Sequence, residues 1–247
     1  MLRLLIAVGW FASSGCGDHR AFTPRALPEL VVAQPTDTPI AVPELMLVDG
    51  ETMIWDVSAG GLTIARAELV VGEDEARSRF ETNALASAFA SVRHEHRTFL
   101  DRAAARPATA TESLTIDGTI RQFDASFDAK SYMVGETRHA VASPAHTLHS
   151  AIGVLRAWAR PEARAGHLLV VQGGVLYRID LAQPAFADLH GTRAIRIDGR
   201  ARSLDTTRDP IAVVIWISAD DRRAVMRIEI QGGAQHLTAE LVDAATV

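Results

Sequence analysis

The sequence predicts a mainly β fold: an antiparallel meander rolled into a curved sheet, open barrel or sandwich, with one or two short helices packed on it. Three observations carry that expectation. Aliphatic-rich runs of strand length recur along the chain, glycine- or aspartate-bearing pairs separate them at hairpin spacing, and only two stretches carry helical signals. The 247 residues, 48% apolar and 22% charged, suffice for a sizeable core.

The first element is a leader over residues 1–15. "MLRLLIAVGWFASSGC" has a short positive start at Arg3 and an apolar run from Leu4 to Ala12. That run is about half the ~20 residues a spanning helix needs. Small residues Ser13, Ser14 and Gly15 then precede Cys16, the single cysteine. The pattern resembles a bacterial lipoprotein signal, which implies cleavage before Cys16 and acylation of its thiol, palmitate included. The alternative is an ordinary secretory leader ahead of a free cysteine. One cysteine allows no internal disulfide, so stability must come from the core.

Residues 16–45 read as the lipidated cysteine and a Pro-rich tether. Pro24, Pro28, Pro35, Pro39 and Pro43 are half of the chain's ten prolines, too closely spaced for a helix or a central strand. The alternative is a segment packed along the domain, with "ELVVA" and "ELMLV" each able to dock as a short strand.

Residues 46–247 read as a single β-rich domain. "LTIARAELVV" has the pattern of a half-buried strand. Asp117-Gly118 stands between two strand-like runs, and Gly173-Gly174, Asp220-Asp221 and Gly232-Gly233 repeat the device. Consecutive strands joined by tight turns pair antiparallel. Two helices interrupt them: one from Asn83 to about Ser91, and an amphipathic one entered through Ser143 and Pro144 and stopped by Pro161. The second is expected to cover one opening or face of the rolled sheet with Leu148, Ile152, Leu155 and Trp158.

In this order, "DGETMIWDVSAGGLTIARAEL", "HTLHSAIGVLRAW" and "VVIWISADDRRAVMRIEIQGGAQHLTAELVD" resemble the bacterial family domain of unknown function 3108, over roughly residues 46 to 243. Ala224 stands where that family usually has proline, and Met53 where it usually has tyrosine. The resemblance implies a mostly β envelope protein, often secreted or lipid-anchored, with no established activity and no functional residues to carry over.

Several constellations invite chemistry. His94, His96 and Thr98 alternate and would share one strand face, with Glu81 or His139 as further metal donors. The bland reading is two solvent-facing histidines on an edge strand. His146 and His149 are three apart on the second helix and read as polar-face residues. Asp220, Asp221, Arg222 and Arg223 read as a solvated turn. No Gly-x-Ser-x-Gly, phosphate loop or dinucleotide fingerprint occurs, so no enzyme activity, metal or cofactor is expected. The net charge of −5, without a basic stripe, argues against nucleic acid as a partner.

The expectation is a cell-envelope lipoprotein tethered to a membrane by Cys16, with its domain facing the periplasm or exterior. It either binds a lipid or other hydrophobic molecule, lined by candidates Trp55, Phe89, Phe99, Trp158 and Trp216, or acts as a structural module docking on another envelope protein. The five aromatics are equally readable as core.

Overall fold

The computed structural model describes residues 34–206, 209–233 and 235–246. The leader, Cys16 and "ELVVA" lie outside them. Among the described residues, sixteen strands form one sheet: β1 (Glu51–Ala59), β2 (Leu62–Val71), β3 (Glu75–Thr82), β4 (Val92–Asp101), β5 (Arg106–Ile116), β6 (Thr119–Phe127), β7 (Ser131–Val134), β8 (Thr137–Ala140), β9 (Ala145–His146), β10 (Gly166–Gln172), β11 (Val175–Leu181), β12 (Ala185–Leu189), β13 (Thr192–Ser203), β14 (Ile211–Ser218), β15 (Val225–Gly232) and β16 (Gln235–Thr246). The helices are α1 (Ala84–Ser87) and α2 (Leu148–Trp158).

The order along the sheet is β8-β7-β6-β5-β4-β3-β2-β1-β16-β15-β14-β13-β11-β10-β9, with β12 folded onto β13. Each half is a meander, and β1 pairs antiparallel with β16 to join them. The one parallel pair among these strands, β9 with β10, is reached through α2, because parallel neighbours need a crossover. The predicted turns are all present. Asp117 and Gly118 both have positive φ (48° and 81°), a conformation that aspartate tolerates and glycine adopts freely. Register shifts at Ile54/Trp55, Val57/Ser58, Phe99/Leu100 and Trp216/Ile217 mark bulges, which bend a sheet and strengthen its twist.

The ends of the sheet do not pair with each other, so the barrel is open. Side chains meet across the opening instead: Phe127 and Tyr132 from one end cluster with Leu169, Val171 and Leu176 from the other. The main core lies between the halves and includes Met53, Val57, Leu69, Phe80, Leu181, Ile195, Ile197 and Ile217.

Both helices differ from expectation. α1 is a single turn capped by Asn83, whose Oδ1 accepts from Ala86 N at 2.9 Å. α2 begins at Thr147, not Ser143. Thr147 and Ser150 form a reciprocal capping box that satisfies two otherwise orphaned N–H groups, while Ala145 and His146 are already committed to β10. Nor is α2 a lid with one wet face: His149 to Arg156 are all buried. The chain from Leu45 to Leu47 packs on its far side, with Met46 N donating to Gly153 O at 3.1 Å. Gly153 permits that approach, since a Cβ there would meet Leu47 Cγ at 2.9 Å. Residues 36–47 are thus packed along the domain, with Pro39 bridged to His167 and Ile40, Leu45 and Leu47 buried.

Candidate functional site

Strand β4 alternates strictly. Arg93, Glu95 and Arg97 take the outer face; Val92, His94, His96, Thr98 and Leu100 point into the core. The shared face of the histidines is as expected, but their position is not: β4 is an internal strand and both imidazoles are buried, not solvent-facing. His146 and His149 are likewise buried rather than polar-face residues. The charged residues on the alternate positions were the available signal, since they claim the solvent side and leave the histidines inside.

His94, His96 and His149 belong to a polar network under the N-terminus of α2, while the buried His146 keeps an Nδ1 with no hydrogen-bond partner among the described residues. His149 Nε2 lies 2.8 Å from Ser78 Oγ, and its Nδ1 lies 2.9 Å from Thr98 Oγ1. Thr98 in turn donates to Thr147 Oγ1 at 3.0 Å. His96 stacks on His149 with ring centroids 4.3 Å apart. His94 Nε2 is 2.6 Å from Glu112 Oε1, and the other Glu112 oxygen accepts from Gly173 N at 2.6 Å. Glu112 therefore ties β5 to the β10–β11 hairpin across the open seam. A space of about 10 Å³, the room of one water molecule, adjoins His96, Glu112 and Thr147.

Burial disfavours charged imidazole throughout. It pushes His96 and His146 down to about 4, lowers His94, and holds His149 well below the usual range. Burial would raise Glu112, but the His94 hydrogen bond and neighbouring imidazoles bring it down to about 2. At neutral pH the pair is then a neutral His94 donating Nε2–H to an ionised Glu112. Among the described residues, no group of three or more His, Cys, Asp or Glu is arranged to hold a metal ion. Glu81 is on the outer face, and His139 stacks on Tyr132 on β7.

A second buried polar device fixes the other end of α2. Arg156, fully buried, makes a bidentate pair with Glu51 (2.6 and 3.0 Å) and donates to the carbonyls of Arg222 and Arg223 at 2.6 and 2.9 Å. It joins the helix to β1 and to the β14–β15 turn. That turn, "DDRR", thus contributes two backbone acceptors, and its Arg223 guanidinium donates to Ala159 O at the end of the helix.

The five aromatics proposed as a ligand lining are not brought together. Trp55 is in the main core, with Nε1 donating to Val225 O at 2.8 Å. Trp158 packs at that core's edge. Trp216 lies in a separate cluster with Leu189, Ala194 and Val214, its indole N–H on Glu229. Phe99 is exposed beneath Arg97, and Phe89 is exposed on the loop after α1.

What the outside offers is of two kinds. Across β2 to β6 runs a groove of about 550 Å³, whose walls include Val70, Arg77, Arg97 and Asp124 and which reaches His96 and Glu112. At one rim of the sheet, the connections and the strand ends beside them present large apolar side chains. Phe89 is 78% exposed, Ile120 63%, Leu62 62% and Leu85 58%, values that set them apart from isolated half-exposed residues. Hydrogen bonds join these segments: Asn83 Nδ2 donates to Thr63 O at 2.6 Å, and Ser91 N donates to Asp117 Oδ1 at 2.8 Å.

No family model matches the chain, and neither does any curated protein. Among solved structures, a β-barrel-like protein of domain of unknown function DUF1849 from Brucella abortus aligns with a TM-score of 0.59 at 11% identity, covering 84% of this chain and 100% of that one. A DUF1089 family protein from Pseudomonas aeruginosa aligns at 0.39 with 10% identity, over 67% of this chain and 89% of that one. The lipoprotein LppX of Mycobacterium tuberculosis aligns at 0.27 with 11% identity, over 78% and 84%. The last two scores are too low to argue from, and the first likeness extends to fold alone. The chain has a β-barrel-like fold shared with a protein of unknown function.

Proposed function

We propose that this chain is a lipid-anchored envelope protein, of the kind its resemblance to domain of unknown function 3108 implies, whose β domain works as a docking module. The observation that carries the reading is an exposed apolar rim on a domain whose interior is occupied. Helix α2 fills the concave side and is held there at both ends by buried polar groups, so the place for an apolar guest inside the sheet is taken by the chain itself. The histidine network is part of that packing. It holds α2 against β4 and serves no reaction in this reading. The leader and Cys16 supply export and attachment. Two or three acyl chains, at ~0.8 kcal/mol per buried methylene, give a stable anchor.

The test is metabolic labelling with alkyne palmitate, followed by mass spectrometry of the purified folded chain. The wild type is expected to carry label that Cys16→Ala lacks, and to yield no further lipid in stoichiometric amount on organic extraction. Equal labelling of the two would remove the anchor. A stoichiometric extractable lipid would replace docking with a guest in the interior.

A further inference from the structure

Leu62 and Ile120 stand at the starts of β2 and β6, beside their hairpin turns, Leu85 on α1 and Phe89 on the loop after it. Strand ends with their connections are the parts of a β-sheet that project. A projecting apolar side chain needs a partner that closes around it. A protein surface does so only through a groove of matching shape. The headgroup–acyl boundary of a bilayer deforms to receive leucine, isoleucine and phenylalanine where they stand.

The charges beside the rim fit the same partner. Arg121 follows Ile120 directly, and Arg66 is four residues beyond Leu62; both are exposed, and neither has an ion-pair partner among the described residues. Their neighbours Arg79 and Arg93 are held by Glu81 and Glu95. Long basic side chains behind an apolar tip reach lipid phosphate while their stems remain in apolar surroundings.

The reach of the chain allows it. Ile40 N donates to His167 O and His167 N to Thr38 O, both at 2.9 Å, at the start of β10. Cross-strand partners run from Gly166 through Leu181, Gly199, Val213, Ile230, Leu237 and Ala59 to Leu62, so this point and that apolar tip lie in one row of the sheet. Between Cys16 and Gln34 lie 17 residues, able to span at most roughly 60 Å, against roughly 33 Å for the height of a ten-residue strand. An anchor at Cys16 and the apolar rim can therefore reach one membrane.

We infer that the rim seats on the surface of the bilayer that holds the acyl anchor. Leu62, Leu85, Phe89 and Ile120 enter the headgroup–acyl boundary, and Arg66 and Arg121 meet phosphate. The inference rests on the anchored docking reading above and names its partner.

The experiment places photoreactive p-benzoylphenylalanine at Phe89 in the full-length chain and, separately, at Phe186, an exposed residue of β12 under Arg193. After irradiation in intact membranes, adducts are identified by mass spectrometry, and acylation of Cys16 is scored in the same sample. The expected result is a phospholipid adduct at position 89 several-fold above that at 186. Protein adducts alone at 89, or no more lipid there than at 186, overturn the inference. If Cys16 is then found acylated, the anchored docking reading survives with a protein partner. A lipid adduct at 89 with Cys16 unacylated supports the rim and removes the anchor.

Discussion

Arg156 shows what a single residue does here. It has no exposed surface, yet every direction of its guanidinium meets a partner: the Glu51 carboxylate and the carbonyls of Arg222 and Arg223. Removing one member of such a pair leaves the other charge buried, which costs far more than the pair is worth. Glu51→Leu is expected to lower stability by about 3–5 kcal/mol in urea unfolding, and Glu51→Leu/Arg156→Met by clearly less. A single variant costing under about 1 kcal/mol would show that the pair is not the staple. In sequence, Glu51 and Arg156 stand in two of the blocks that carry the family resemblance, with no role attached to either; their meeting depends on a contact 105 residues apart. The histidines of β4 were half legible. Their common face followed from alternation, and Arg93, Glu95 and Arg97 hinted at the direction it faces, but Ser78 as the partner of His149 follows only from the packing of α2.

At the scale of elements, the strands and turns were largely readable. Positive φ at Asp117-Gly118 and Gly173-Gly174 is written in residue type, and each pair closes a hairpin. Helix α2 was misread at its start because Pro144 is a good first-turn residue. The Thr147–Ser150 capping box, four residues on, determines where the helix begins. Burial of histidines on β4 and β9 also makes the fold acid-sensitive. His96 and His146 titrate at about 4 when folded and near 6.5 when unfolded, so the unfolded chain takes protons that the native one refuses as pH falls. Their contribution is intact above pH 6.5 and is lost between 6.5 and 4, on the order of 3 kcal/mol for each. Glu112, at about 2 folded, adds a further loss below its ordinary carboxylate range. Urea midpoints measured from pH 7.5 to 4 should fall steeply below 6.5. In His146→Leu, which removes a buried Nδ1 with no hydrogen-bond partner among the described residues, they should fall less. Superimposable profiles would contradict the assignment.

The whole molecule is an open barrel that has turned its core inward around α2 and left its apolar excess at one rim. The rolled meander followed from the sequence because local turn chemistry sets nearest-neighbour pairing. The occupation of its interior did not, since "HTLHSAIGVLRAW" reads equally as a lid or as a plug until the Leu45–Leu47 segment is seen on its other side. The aromatics followed the same rule: Trp55 and Trp158 joined the core, Trp216 a separate cluster, and Phe89 the rim. The central claim is that the domain works through that rim and not through its interior. Hydrogen exchange of the full-length chain, with and without envelope membranes, tests it most directly. The account predicts added protection over residues 84–91 and 119–121 on membrane engagement, with α2 unchanged. Protection gained or lost along α2 with the rim unaffected would contradict it.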